Sequence, residues 1–150
     1  MTKFLDKVEV ANRKAFHDYF ILERLECGIA LIGSEVKSVR RGGVNLRHAY
    51  AQFRNTELFI LGLSISQYKE SGATGHEMQR PRKLLAHKHE LIKLRSKVEE
   101  KGLTIIPLRL YISKGRIKVE IGLCKGKREY DKRETIKRRD QDRDERRQTY

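Results

Sequence analysis

The chain has 150 residues, which is the length of one domain with short extensions. Its 34 Lys and Arg against 20 Asp and Glu give a formal net charge of +14, a field that attracts polyanions such as nucleic acids. Because it has no bilayer-length apolar run and no signal-peptide pattern, we predict a cytoplasmic protein that does not associate with membranes.

The charges divide the chain into two predicted regions. Residues 131–150 hold 8 basic and 6 acidic side chains, and only Ile136 and Tyr150 among them are apolar. Such a segment cannot offset its ordering entropy by burial. We therefore predict a folded domain over residues 1–130, with a net charge of +12, and a charged tail over 131–150 that is disordered in isolation.

The sequence of the first half of the domain predicts strands and one short helix. DYFILERLECGIALIG contains two apolar runs that meet at residues 26–28, which predicts a hairpin or a bent strand. SEVKSVRRGG predicts a helix with Ser34 as N-cap and Gly42 or Gly43 as its end. AYAQF and ELFILGLSI, separated by RNT, predict a second hairpin.

The second half predicts a loop, a helix and a pair of strands. Residues 66–83 lose apolar periodicity and predict a long mobile loop, and HKHELIKLRSKVEEKG predicts an amphipathic helix on the sheet. Apolar residues then alternate over 106–112 and over 117–123 around an SKG turn. About six antiparallel strands with few short helices indicate a mainly β fold, a small closed barrel.

Four basic clusters lie at the ends of these predicted elements: residues 12–14, the short helix with Lys37 and Arg40, residues 80–83 and residues 125–128. Basic clusters of this kind neutralise phosphates. Glu26 is the exception, because a carboxylate repels phosphate but accepts hydrogen bonds from base edges or 2′-hydroxyls. The alternative for Glu26 is a structural partner that orients a nearby Arg.

The sequence offers weak candidates for catalysis or metal binding. His87 and His89, two apart on a predicted helix, would point in different directions, and His17 beside Asp18 lacks a partner at a recognisable spacing. No Gly-rich stretch has the spacing of a phosphate loop. We therefore predict a binding protein without a catalytic site, metal or cofactor, in which Cys27 and Cys124 are buried thiols.

Three long stretches resemble successive signature blocks of the small protein B family, the bacterial transfer-messenger-RNA-binding proteins of trans-translation. They are NRKAFHDYFILERLECGIALIGSEVKSVRRGGVNLRHAYA, RPRKLLAHKHEL and GLTIIPLRLYISKGRIKVEIGLCKGKREYDKRE. The blocks cover nearly the whole chain in the right order. The resemblance implies an oligonucleotide-binding-type barrel that grips the tRNA-like domain of transfer-messenger RNA and carries it to stalled ribosomes.

The resemblance also implies roles for individual residues. Those on the RNA-binding surface would be Asn12, Arg13, Lys14, Glu26, Lys37, Arg40, Leu85, Lys118 and Lys125. Those of the tail that acts in the ribosomal decoding centre would be Tyr130, Asp131, Lys132, Arg133, Lys137, Arg138 and Arg139. Tyr130 stands where some members have His, so an aromatic ring is kept there without an imidazole.

The partners implied are transfer-messenger RNA, the ribosome with its RNA near the decoding centre, and elongation factor Tu in the delivery complex. The tail would become helical on the ribosome. The alternative is a basic ribosomal or single-stranded-RNA-binding barrel, which would recognise unpaired bases through exposed aromatic side chains. Most aromatic residues of this chain lie in predicted strands, where we expect them to pack in the core.

Overall fold

A computed structural model of the protein describes residues 8–67 and 77–127. The strands in this part of the chain are β1 (Glu9–Ala11), β2 (Tyr19–Ile29), β3 (Val44–Asn45), β4 (Tyr50–Arg54), β5 (Glu57–Leu61), β6 (Ser64–Ile65), β7 (Arg82–Leu85), β8 (Thr104–Ser113) and β9 (Arg116–Gly126). The helices are α1 (Arg13–Asp18), α2 (Gly33–Arg40) and α3 (Lys88–Lys101).

Seven of the strands form one antiparallel sheet in the order β1-β8-β4-β5-β7-β2-β9. Because β8 also pairs with β9, six of them form a barrel-like ring, and β1 lies on an edge of β8. The ring is only partly closed, since β4 and β8 meet through a single pair of residues, Ala51 and Ile105. This architecture confirms the predicted mainly β, barrel-type fold with few short helices.

The interior of the ring is apolar. Alternate residues of the strands point inward, and Leu58, Ile60, Leu84, Leu110 and Val119 are each at most 1% exposed. The predicted amphipathic helix is confirmed as α3, which adds Leu94 to this core and ends at Gly102 in the left-handed conformation, with φ 61°.

Two β-bulges divide the apolar residues between two clusters. The pairing with β9 shifts register in β2 between Ile21 and Glu23, and in β8 between Pro107 and Arg109. An extra residue moves the following side chains to the opposite face of a sheet. The alternating apolar residues over 106–112 therefore do not form a single inward-facing row, because one end of the row faces outward.

The outward end of that row forms a second, smaller core under α1. Ile106, Leu108 and Cys124 pack there against Ala15 of α1. The strand that contains the first bulge, β2, continues without a turn from Tyr19 to Ile29, so the predicted hairpin is wrong and the bend lies near residue 22 instead of 26–28.

The start of α2 differs from its prediction. The helix begins at Gly33 with Ile32 as N-cap, so Ser34 lies inside the first turn. The Ile32 amide donates to the Glu35 carboxylate at 3.0 Å, which satisfies the helix start without a Ser cap. The predicted end is confirmed, since Gly42 has a φ of 79° directly after the helix.

The predicted long loop ends earlier than expected. Strand β7 starts at Arg82, so residues 82 and 83 belong to the barrel, and residues 68–76 lie outside the described part of the chain. The predicted hairpin of AYAQF and ELFIL is confirmed as β4 and β5.

Cys27 and Cys124 are free, buried thiols, as predicted, and they lie in different clusters. Burial raises the pKa of Cys27 to about 12 and that of Cys124 to about 11, so both stay protonated at neutral pH. Within residues 8–67 and 77–127, no helix has the length and apolar character needed to span a membrane.

Candidate nucleic-acid interface

The outward side of β7, β2, β9 and β8 carries three of the residues singled out in the sequence. Gly28 is the cross-strand neighbour of both Leu85 and Lys118, and Lys118 in turn neighbours Tyr111. In the next row Glu26 lies opposite Glu120, which neighbours Arg109. Cross-strand neighbours on one face have Cβ atoms about 5 Å apart. We call the patch formed by Glu26, Leu85, Arg109, Tyr111 and Lys118 the Glu26 surface.

The Glu26 side chain is exposed and accepts a hydrogen bond from the Tyr111 hydroxyl. The alternative that Glu26 orients a nearby Arg is therefore wrong in this structure, since its partner is a neutral phenol. Burial, together with this hydrogen bond, raises the pKa of Tyr111 to about 12. The hydroxyl remains a proton donor throughout the physiological pH range.

Neighbouring charges on this face form a connected network around Glu120. Its carboxylate accepts from Arg109 at 3.2 Å and from Arg24 at 3.4 Å, and Arg109 also contacts Glu9 at 3.1 Å. The Arg109 guanidinium lies 4.6 Å from the centre of the Tyr111 ring. Two acidic and two basic side chains are thus paired with each other beside Glu26.

Leu85 is an exposed apolar residue on an otherwise polar face, with 48% of its surface accessible. A side chain at position 28 would bring its Cβ to 3.4 Å from the Leu85 Cβ, so Gly28 leaves Leu85 uncrowded. Leu85, Lys118 and Val36 of α2 line a depression of about 420 Å³. Helix α2, which carries exposed Lys37 and Arg40, therefore borders the Glu26 surface.

Asn12 is not available as a direct reader of a base edge in this structure. The residue is 4% exposed, and its side-chain amide donates to the carbonyls of Pro107 at 2.9 Å and Leu46 at 3.3 Å. Its side-chain oxygen accepts from the Ala15 amide, which makes Asn12 the N-cap of α1. These bonds fix where α1 starts, so in this structure the Asn12 side chain positions the helix.

Arg13 and Lys14 follow on α1 and are exposed. Their helix lies on the same outward face as the Glu26 surface, since Ala11 neighbours Arg109 and three strand spacings separate Ala11 from Glu26. Strands lie about 4.8 Å apart, so this distance is roughly 14 Å. The fold therefore brings residues from four distant stretches of the sequence onto one continuous face.

Lys125 lies apart from this group. It lies seven positions after Lys118 on β9, which corresponds to roughly 23 Å along a strand. Its cross-strand neighbour is Phe20, which is 41% exposed and has the Lys127 ammonium 5.1 Å from its ring centre. Phe20 is thus an exception to the expectation that aromatic residues of the strands pack in the core, and Phe16 of α1 also faces solvent in part.

A buried ionic cluster fixes α2 against β7. Glu35 and Arg82 are both fully buried and paired, and Arg80 contacts the same carboxylate. Arg82 also donates to the carbonyls of Leu63 at 2.8 Å and Met78 at 3.0 Å. Charges removed from water in this way need such complete pairing. The pattern of SEVKSVRRGG predicts a helix but gives no sign of this cluster, since Arg80 and Arg82 are brought to Glu35 only by the fold.

The histidines near α3 are arranged differently from the prediction. His87 is the N-cap and lies outside the helix, so its ring stacks on that of His89 with the centroids 5.6 Å apart. No group of three or more His, Cys, Asp or Glu that could hold a metal is found among the described residues.

All of the predicted tail residues lie outside the described part of the chain. They are Tyr130, Asp131, Lys132, Arg133, Lys137, Arg138 and Arg139.

Comparisons with known proteins match the chain along its length. A family model described as SmpB protein matches residues 9–150. The chain belongs to the SmpB family. An SsrA-binding protein of Syntrophobacter fumaroxidans is 53% identical to it, over 89% of this chain and 83% of the relative. Another, of Carboxydothermus hydrogenoformans, is 52% identical over 91% of each chain.

The fold agrees with a solved structure of the SmpB family. That structure is described as "tmRNA-SmpB: a journey to the center of the bacterial ribosome". Its chain superposes with a TM-score of 0.69 at 45% sequence identity and covers 86% of this chain and 94% of its own length. The SmpB-family match extends through residue 150, so it includes the charged tail.

Proposed function

We propose that this protein binds the tRNA-like domain of transfer-messenger RNA and delivers it to stalled ribosomes for trans-translation. The observation that carries the proposal is the continuous outward face, where Glu26, Leu85 and Lys118 meet although they are far apart in sequence. Membership of the SmpB family and relatives named SsrA-binding proteins support the choice of this RNA.

The face combines contacts that a structured RNA requires. Lys118, Arg13 and Lys14 supply charge for phosphates, while Glu26 accepts hydrogen bonds from exocyclic amines or 2′-hydroxyls. Leu85 provides an apolar contact for a base or ribose. Lys37 and Arg40 extend the basic border on α2, and Asn12 acts by holding α1 in place.

The remaining contacts concern the ribosome. We propose that the tail over residues 131–150 acts near the decoding centre, that Lys125 adds a basic contact to the RNA, and that elongation factor Tu is a partner during delivery in the cytoplasm. The protein would bind and position RNA without a catalytic step. RNA that stays intact after long incubation with the protein and Mg²⁺ would support this, whereas cleavage would reveal a nuclease.

We expect the protein to prefer a tRNA-like RNA over an unstructured oligomer of equal length at matched salt. The affinity should fall steeply as salt rises, because phosphate neutralisation releases counterions. Filter binding over a series of salt concentrations measures both properties. A preference for the unstructured oligomer would overturn the proposal.

That opposite result would support a single-stranded-RNA-binding barrel, which the exposed rings of Phe16 and Phe20 favour. In that case changing Phe20 to Ala should weaken binding of the unstructured oligomer by roughly fivefold or more, since stacking contributes about 1–3 kcal/mol per base.

Glu26→Ala is expected to weaken binding of the tRNA-like RNA more than binding of bulk RNA, because the carboxylate accepts specific hydrogen bonds. Lys118→Ala should weaken binding of all RNAs alike. It should also lower the salt slope, the slope of log affinity against log salt concentration, by about one unit. Glu99→Ala and Lys101→Ala, exposed charges of α3, are the matched controls. If Glu26→Ala instead strengthened binding of both RNAs, the carboxylate would act only by repelling phosphate.

A further inference from the structure

Two carboxylates face each other across β2 and β9 and differ in how they are held. Glu120 is bound by two cations, Arg109 and Arg24. Glu26, its cross-strand neighbour, receives its hydrogen bond from the neutral hydroxyl of Tyr111. In the part of the chain that the structure describes, this is the one hydrogen bond that the Glu26 carboxylate makes.

The difference decides what each carboxylate can do for a ligand. The charge of Glu120 is neutralised and its oxygens are occupied by guanidinium groups, so it is a structural partner. Glu26 keeps its negative charge, because a phenol donates a hydrogen bond without adding a positive charge. The bond engages Oε2 and leaves Oε1 without a partner among the described residues. The Glu26 carboxylate is thus held in one orientation and can still accept hydrogen bonds at Oε1.

Tyr111 is itself held firmly in place. Its neighbours across the sheet are Lys118 on β9 and Glu9 on β1, and the Arg109 guanidinium covers its ring. A tyrosine has few rotatable bonds, so the cation over its ring and the hydrogen bond to Glu26 together hold its hydroxyl at a defined point. Arg109 is anchored in turn by Glu9 and Glu120.

We propose that Tyr111 is a positioning residue for RNA recognition, whose hydroxyl holds the Glu26 carboxylate with one oxygen turned outward to accept hydrogen bonds from the RNA. The inference rests on the proposed function and extends it to a residue outside the predicted set. Tyr111 acts through Glu26, so the two side chains form one recognition unit. Arg109 and Glu120 support that unit through the Tyr111 ring.

A double-mutant cycle in the full chain tests this inference. Tyr111→Phe, Glu26→Ala and the double variant are compared by filter binding to a transcript of the tRNA-like domain and to bulk RNA. Tyr111→Phe removes only the hydroxyl and should weaken binding of the tRNA-like transcript by roughly tenfold or more, as for a lost hydrogen bond to a charged group. In the Glu26→Ala background the same change should have no further effect.

Tyr50→Phe is the matched control, because Tyr50 is 43% exposed on β4 and lies outside the Glu26 surface. Neither Tyr→Phe change should alter the salt slope or the thermal unfolding midpoint, whereas a merely structural role of Tyr111 would lower the midpoint. An equal loss in both backgrounds would overturn the inference, because Tyr111 would then contact the RNA independently. The inference would also be overturned if Tyr111→Phe bound the tRNA-like transcript as well as the unmodified protein does while Glu26→Ala clearly lost affinity for it.

The outcome also separates this inference from the proposed function. If the unmodified protein does not discriminate the tRNA-like transcript from bulk RNA, the proposed function fails. If it discriminates and Glu26→Ala abolishes the discrimination, the function stands, and the Tyr111 result alone decides the further inference.

Discussion

Removing residues 131–150 is expected to abolish the rescue of stalled ribosomes while leaving the affinity for the tRNA-like RNA unchanged. The residues of the candidate interface lie before position 131, so RNA binding does not need the tail. The tail carries 8 basic side chains that a channel lined with ribosomal phosphates would attract.

We propose that ordering of the tail is coupled to its binding, because of how its charges are spaced. In a helix Glu134 would face Arg138, and Asp142 would face Arg146, at i, i+4. Such pairs contribute about 0.2–0.5 kcal/mol each, too little for a short isolated helix. Contacts with the ribosome would supply the missing stabilisation.

A reconstituted stalled-translation assay measures rescue, and filter binding measures RNA affinity. Changing Asp131, Lys132 and Arg133 together to Ala should reduce rescue nearly as much as the truncation does. Removing only residues 148–150 is the control and should have little effect. Full rescue by the protein that ends at residue 130 would show that the tail has no such role.

Glu35→Ala is expected to lower the free energy of unfolding by about 3–5 kcal/mol, because it leaves the buried Arg82 guanidinium without its partner. Denaturant unfolding measures this loss. Glu99→Ala, which removes an exposed carboxylate paired with Arg95, should change the stability by at most about 1 kcal/mol. If Glu35→Ala lowered the free energy of unfolding as little as Glu99→Ala does, the buried cluster would not stabilise the fold.

The same cluster predicts how stability depends on pH. Burial alone would raise the pKa of Glu35, but hydrogen bonds from Arg80, the Ile32 amide and Arg82 outweigh it and hold the pKa below the ordinary value of 4.5. The stabilisation is therefore complete above that value and is lost as the pH falls through the lower, folded-state pKa. Glu35→Gln should flatten the acid limb of the stability profile, which unfolding at several pH values measures.

The fold could be predicted where apolar residues alternate over long runs. The β8–β9 hairpin and the helix before it have regular patterns that a single local rule describes. The bulges could not be predicted, because an extra residue near position 22 or 108 is placed by pairing with β9, which the local pattern does not record. The division of the apolar residues over 106–112 between two faces of the sheet follows from this.

The candidate interface was predictable only in part for a similar reason. Glu26 was a predicted site residue because its negative charge differs from that of the predicted basic clusters. The resemblance to a known family added Leu85 and Lys118. Tyr111 was missed, since an aromatic residue in a strand usually packs in the core. The internal hydrogen bonds of Asn12 depend on Leu46 and Pro107, which only the folded chain brings close.

The most direct measurement is the identity of the RNA that the protein retains from a bacterial lysate. The immobilised 150-residue chain is incubated with the lysate at physiological salt, beside the Glu26→Ala variant, and the bound RNA is sequenced. We predict strong enrichment of transfer-messenger RNA over its share of total RNA, reduced for the variant. Retention of ribosomal and transfer RNA in proportion to their abundance, without enrichment of transfer-messenger RNA, would contradict the proposed function.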